Sequence, residues 1–187
     1  MTSHNLDRVF MGWDPVPLAA EGRVQIARLA ERLAKQRVDR ILASDVARAK
    51  ESAEIIAAHL GLPIAFHEEL REVHVGEAKG VGYEDAALRW PGILDPDGEV
   101  PFPGGESFAA LADRAAKFLR ESVVSDRDER VLVVSHGGLV RGVAARLLGK
   151  PLRDVGTFAV DNASLSVFRL TAGRAELVSW NDVAHLS

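Results

Sequence analysis

The sequence predicts an α/β fold with a largely parallel sheet and a terminal hairpin, on three observations. Stretches with apolar residues at helical spacing alternate with short apolar runs that suit buried strands. The runs Arg40-Ile41-Leu42-Ala43 and Val131-Leu132-Val133-Val134-Ser135 are too short and too β-branched or aliphatic for helices. Near the end, Leu165 to Leu170 and Ala175 to Trp180 flank Thr171-Ala172-Gly173-Arg174, a hairpin signal.

Taken in order, residues 1–18 read as loop, punctuated by Gly12, Pro15 and Pro17. A helix follows from Glu21 to Lys35, with Ile26, Leu29, Ala30 and Leu33 on one face and charges opposite. After the strand at 40–43, Ser44 or Asp45 is expected to cap a second helix with apolar positions Ala49, Ala53, Ile56 and Leu60, ended by Gly61 and Pro63. Leu62 to Phe66 suits another strand. Residues 70–105 are irregular, with a short helix expected from Tyr83 to Trp90; so long a loop suggests a lid or a specificity element. Pro103-Gly104-Gly105-Glu106-Ser107 opens a helix with Phe108, Leu111, Ala115, Phe118 and Leu119 on its apolar side. The strand at 131–135 leads into a helix over 138–148, stopped by Gly149.

Composition narrows the function classes. The 187 residues fit one domain with a sizeable core, 47% hydrophobic and 27% charged. A net charge of −4 argues against nonspecific nucleic-acid binding, although a few local arginines can still dominate a pocket for an anionic small molecule. Without cysteine there is no disulfide framework, thiol nucleophile or cysteine-ligated metal. No apolar run approaches a membrane span and the first residues do not form a signal peptide, so a cytoplasmic protein without a membrane partner is the expectation. The histidines His4, His59, His67, His74 and His185 lack paired metal-ligand spacing; they read as surface or structural, and no metal or other cofactor is expected.

The most informative stretch is Val131-Leu132-Val133-Val134-Ser135-His136-Gly137-Gly138. It reads as a buried strand that delivers His136 to the mouth of a helix N-terminus, where unpaired N–H groups and the helix dipole favour an anion. A histidine beside such a cradle suggests phosphate chemistry.

Further segments match one family in the right order. They are Thr2-Ser3-His4-Asn5 with Phe10-Met11-Gly12, Val16-Pro17-Leu18 with Glu21-Gly22, and Ala43-Ser44-Asp45-Val46-Ala47-Arg48-Ala49. Leu70-Arg71-Glu72-Val73 with Gly76, Pro103-Gly104-Gly105-Glu106-Ser107, Ser135-His136-Gly137-Gly138, Asp161-Asn162-Ala163-Ser164, Asn181-Asp182 and Ala184-His185-Leu186 complete the set. With these the chain resembles the histidine phosphatase superfamily, in its phosphoglycerate-mutase-like branch. The resemblance implies a three-layer sandwich, a mostly parallel central sheet flanked by helices. It also implies transfer of a phosphoryl group from substrate to a histidine and then to an acceptor. The transferring oxygens need fixed cationic donors. By resemblance, Arg48 clamps the phosphate, with a planar fork that pairs two oxygens at once. Glu72 matches the proposed general acid that protonates the leaving oxygen. His136, with Gly137, contacts the phosphoryl oxygens, and Asn5 hydrogen-bonds the phosphate or the nucleophile. The family's tryptophan and acidic residue after Gly76 are replaced by Ala78 and Lys79.

The family also carries an apolar strand ending in Arg-His-Gly, whose histidine is the nucleophile and whose arginine is the first clamp. Thr2 and Asn5 keep the spacing that follows that motif. The expectation is therefore a single domain over 1–187 that is N-terminally incomplete, lacks the family's first strand and is inactive as it stands. The function implied is hydrolysis of a small phosphomonoester through a phosphohistidine. The alternatives are a phosphoglycerate-type mutase and a non-catalytic pseudoenzyme that binds phosphorylated ligands. Oligomeric state stays open, a homodimer included.

Overall fold

The computed structural model describes residues 9–123, 128–171 and 174–187. Five helices and five strands are found there: α1 (Ala20–Leu33), β1 (Arg40–Ala43), α2 (Ala47–Leu60), β2 (Ile64–Phe66), α3 (Tyr83–Arg89), α4 (Phe108–Val123), β3 (Val131–Val134), α5 (Gly137–Leu148), β4 (Leu165–Thr171) and β5 (Arg174–Asp182). Short 3₁₀ turns lie at Glu68–Leu70, Gly76–Ala78, Leu152–Thr157 and Ala184–Leu186.

The central sheet is parallel, in the order β2-β1-β3. Ala43 stands opposite Val134, so β1 and β3 end side by side. The β4–β5 hairpin is antiparallel and forms a separate sheet against α5, and one isolated antiparallel bridge joins Val9 to Gly82.

Strand alternation builds the layers. Ile41, Leu132 and Val134 point into one apolar cluster with Leu29, Leu33 and Ile56 of α1 and α2. Leu42, Val131 and Val133 point the other way, into a cluster with Leu111 and Leu119 of α4 and Leu139 and Val143 of α5. A strand apolar on both faces is what a sheet covered by helices on both sides requires. The expected helical faces are the buried ones, Ile26, Leu29, Ala30 and Leu33 on α1 and Ala49, Ala53 and Ile56 on α2. Both α2 and α5 stop on a left-handed glycine, Gly61 (φ +66°) and Gly149 (φ +63°), as the sequence indicated.

The structure corrects the start of α2. Its N-cap is Val46 and makes no side-chain cap bond. Ser44 Oγ turns to His136 and Asp45 to Arg71, so both expected caps serve other partners.

The 79–106 excursion is folded down rather than loose. Ala86, Ile93 and Phe102 are buried in the α4–α5 cluster. Phe10 packs on Tyr83 and Phe102 with ring centroids 4.5 and 5.0 Å apart, and Phe10 N donates to Val81 O at 3.0 Å. The carboxylate of Asp95 accepts the amides of Asp97 and Glu99, which holds it below the usual carboxylate range and pins a turn.

The C-terminus is latched to α1. Arg32 pairs with Asp182, Arg28 donates to Leu186 O, and His185 Nε2 meets Ala163 O at 2.9 Å. The left-handed Asn181 (φ +52°) bonds Asp161 through both ends of its amide. Two of the motifs read from the sequence, around Asp161 and Asn181, thus lock onto each other.

Candidate active site

In open α/β sheets, ligands bind beyond the carboxyl ends of the strands. Here those ends carry Ser44, one residue past β1, and His136, two past β3. Because β1 and β3 are parallel neighbours, the two side chains meet: Nε2 of His136 and Oγ of Ser44 are 2.8 Å apart, and both residues are buried. Ser44 is held from behind by its own amide, which donates to Val134 O at 3.0 Å. Burial, reinforced by the positive charges of Arg48 and Arg114, pushes the imidazole well below its ordinary pKa and keeps it neutral.

Arg48 stands in the first turn of α2 with its guanidinium largely out of water. Burial lowers its pKa below the ordinary guanidinium range, and the negative charges of Glu72 and Asp14 oppose that shift. An arginine so placed stays charged. Its amino groups donate to Gly12 O at 2.9 Å and Asp14 O at 3.4 Å, which fixes the fork against the 12–14 turn. Gly12 is in the left-handed region (φ +49°), and a Cβ there would press on Val75 and the carbonyl of Val73.

Glu72 lies between the two 3₁₀ turns, at the mouth of α5. One carboxylate oxygen accepts the amide of Val73 and the other the amide of Gly138, each at 3.0 Å. The helix N-terminus proposed as an anion cradle thus already receives a carboxylate. Of the two glycines after His136, Gly138 is the one the geometry constrains, since a Cβ there would overlap the Glu72 carboxylate; Gly137 has room for one.

Trp13 ties this segment down. Its indole N–H donates to Glu72 O at 2.6 Å, its ring centroid is 4.4 Å from that of His74, and the Arg71 guanidinium lies 4.9 Å from it. Arg71 is held in turn by a two-pronged pair with Asp45, Nε to Oδ1 at 2.7 Å, which keeps that carboxyl below its usual range.

Two cavities open beside Trp13 and His74. One, of about 180 Å³, is bounded by Met11, Asp14, Val75, Gly76 and Lys79; the other, of about 450 Å³, by Glu68, Glu69, Arg71, Gly105, Glu106 and Arg114. Lys79, which the sequence marked as a departure from the family pattern, pairs with Asp14 at 2.8 Å on the wall of the smaller one. Ala78 beside it is fully buried.

The structure places Arg48, Glu72, His136 and Gly137 at one end of the sheet. Asn5 lies outside the described residues. Sequence reasoning missed Ser44 as the partner of His136, together with Trp13, His74 and Gly138. Ser44 was findable, because a polar residue directly after a buried parallel strand faces the same end as His136. His74 shows no signal of its own, since its place comes from packing on Trp13. Among the described residues no three His, Asp or Glu side chains converge to hold a metal ion.

Known proteins share this arrangement of chain and fold. Phosphoglycerate mutase-like protein 4 of Arabidopsis thaliana is 36% identical over 194 residues, covering 99% of this chain and 83% of that protein. The metal-independent phosphoserine phosphatase of Arabidopsis thaliana is 34% identical over 178 residues, covering 89% and 71%. Among solved structures, mycobacterial glucosyl-3-phosphoglycerate phosphatase in complex with VO3 superposes with a TM-score of 0.86 at 30% identity, over 97% of this chain and 94% of that one. The profile of the histidine phosphatase superfamily (branch 1) matches residues 1–183, which takes in both strand ends, Arg48, Glu72 and His136, and the chain belongs to that family.

Proposed function

We propose that this protein is a phosphatase that hydrolyses a small phosphomonoester through a phosphohistidine. The observation that carries the reading is the convergence of a half-buried, charged Arg48, a buried His136 and the carboxylate of Glu72 at the ends of β1 and β3. A cation held out of water by two carbonyls is aimed at an anion more strongly than one in solvent.

In this reading Arg48, His136 and the amides at the start of α5 receive the phosphoryl oxygens. In the family's route the P–O bond to the leaving group breaks as a P–N bond forms to the histidine of an Arg-His-Gly motif, which residues 1–187 do not contain, and Glu72, in its protonated form, gives a proton to the departing oxygen. Water then attacks phosphorus as the P–N bond breaks, a proton of the water passes to Glu72, and inorganic phosphate leaves. A neutral His136 offers one ring N–H, a donor that adds no charge to the site. Phosphoserine and glucosyl-3-phosphoglycerate are the first substrates to try, because relatives carry those names.

The test is phosphate release by the protein from a panel of phosphomonoesters, with Arg48→Ala and Arg48→Lys alongside. Removing a charged donor from such a pocket is expected to slow turnover roughly a hundred- to a thousand-fold. Lysine should restore only part of it, because an ammonium cannot form the fork. Turnover of Arg48→Ala near the wild-type rate would overturn the reading. Interconversion of phosphoglycerates without release of phosphate would make the protein a mutase.

A further inference from the structure

Glu72 is borne by a segment with no regular ladder. Between β2 and α3 the chain makes only two short 3₁₀ turns, and its carbonyls must find partners elsewhere. Side chains supply them. Ser135 Oγ donates to Leu70 O at 2.7 Å and Trp13 Nε1 to Glu72 O at 2.6 Å. Arg114 of α4 donates to Glu69 O at 2.7 Å and to the carbonyls of Glu68 and Arg71 at 3.3 Å.

The same arginine holds Glu106, from the Pro103-Gly104-Gly105-Glu106-Ser107 motif, at 2.7 Å. Glu106 Oε1 also accepts the amide of His74 at 3.0 Å, and the Glu106 amide donates to His74 O at 2.9 Å. The two backbones lie so close that a Cβ on Gly105 would overlap the His74 carbonyl, and one on Gly76 the carbonyl of Pro103. Ser107 Oγ accepts the amide of Ala110 and so starts α4, the helix that carries Arg114. An exposed ion pair contributes little by itself. This one is only about a quarter exposed, and most of its bonds go to the main chain on both sides of Glu72.

We propose that Glu106 and Arg114 are positioning residues, which set the Glu72 carboxylate against α5 by fixing the main chain from Glu69 to His74. The contacts form a ring: α4 carries Arg114, Arg114 holds Glu106 and the carbonyls of Glu68, Glu69 and Arg71, Glu106 holds His74, Glu72 reaches Gly138 of α5, and α5 packs on α4. The proposal rests on Glu72 as the proton donor of the reaction above.

That role gives a readout that loss of fold does not mimic. An alkyl phosphate needs its leaving oxygen protonated, whereas p-nitrophenolate departs without help. Misplacing the acid therefore lowers the alkyl-to-aryl ratio of kcat values. Glu106→Ala and Arg114→Ala should each lower that ratio by at least about tenfold, part of the hundred- to ten-thousand-fold that a positioned proton donor contributes. Glu106→Gln, which keeps an acceptor for the His74 amide, should recover part of it. If Glu106→Ala fails to fold, Glu106→Gln and Arg114→Lys are read in its place.

Glu72→Gln separates the two ways to fail. A fall in the ratio for Glu72→Gln, with none for the Glu106 and Arg114 variants, would overturn the positioning role alone. An unchanged ratio for Glu72→Gln would overturn the acid role, and the positioning role with it. A fall in the ratio for all three sites, with part of it recovered in Glu106→Gln, supports the proposal.

Discussion

The carboxylate of Glu72 rests on the amide of Gly138, oxygen to nitrogen 3.0 Å, and so joins an irregular segment to the N-terminus of α5. Helix N-termini attract anions through unpaired N–H groups and the dipole. Here the protein's own acid takes that place, beside the ends of β1 and β3 where the phosphoryl group is proposed to bind.

Gly138→Ala tests that contact. The added methyl would overlap the carboxylate, so Glu72 must move away. Gly138 is the second residue of α5, so the helix gains only part of the about 1 kcal/mol by which alanine is favoured over glycine in a helix interior. The expected outcome is a folded protein with a melting temperature close to wild type and turnover of an alkyl phosphate at least about tenfold lower. Steady-state kinetics beside a thermal melt would show it, and unimpaired turnover would mean the contact is not used.

Ser44→Ala tests the pair at the strand ends. It removes the partner of a buried imidazole nitrogen and the acceptor for the amide of Val46. An unpaired buried polar group costs about 1–3 kcal/mol. Urea denaturation should report a loss of that size, and a loss below about 0.5 kcal/mol would show that the ring had found another partner.

Stability should fall with acid in a way that traces to His136. Its folded pKa lies well below 6.5, so below that pH the unfolded chain binds a proton that the folded chain refuses. The contribution is intact above about pH 6.5 and declines as pH falls towards the folded pKa, by at most about 1.4 kcal/mol per pH unit. His185, shifted down by burial, adds a second loss of the same sign. His136→Gln should remove one proton from the slope of unfolding free energy against pH. An unchanged slope would mean that His136 titrates normally in the fold.

How much of this was legible in the sequence depends on which interaction decides each element. The strands at Arg40–Ala43 and Val131–Val134 and the faces of α1, α2 and α4 were readable because burial follows local periodicity. Arg48 and His136 were readable from motif order. Ser44 was misread as a cap because helix-start chemistry and site chemistry favour the same residue type. The 3₁₀ turns around Glu72, and the roles of Trp13, His74 and Arg114, were not readable. Their places come from side chains meeting main-chain carbonyls up to 59 residues away, and no local pattern encodes that.

The seam between α4 and α5 gives a last prediction, in which two effects of known size oppose each other. Gly142 faces Ala112, and a Cβ on it would stand 2.9 Å from the Ala112 Cβ and 3.3 Å from its Cα. Gly142→Ala should gain up to about 1 kcal/mol in helix propensity and lose about 1–3 kcal/mol to overpacking, because both residues are buried and the opposing atoms belong to a helix rather than to a flexible tip. The net expectation is destabilisation by about 1 kcal/mol, the balance of those two terms. Because α5 presents Gly138 to Glu72 one turn away, pushing the helices apart should also lower turnover. Ala112→Gly in the same chain opens the space again, so the double variant should be more stable than the sum of the two single changes predicts, and turnover should return with it. Additive stabilities in the double-mutant cycle would show that the seam has room for the methyl group and that propensity alone governs the site.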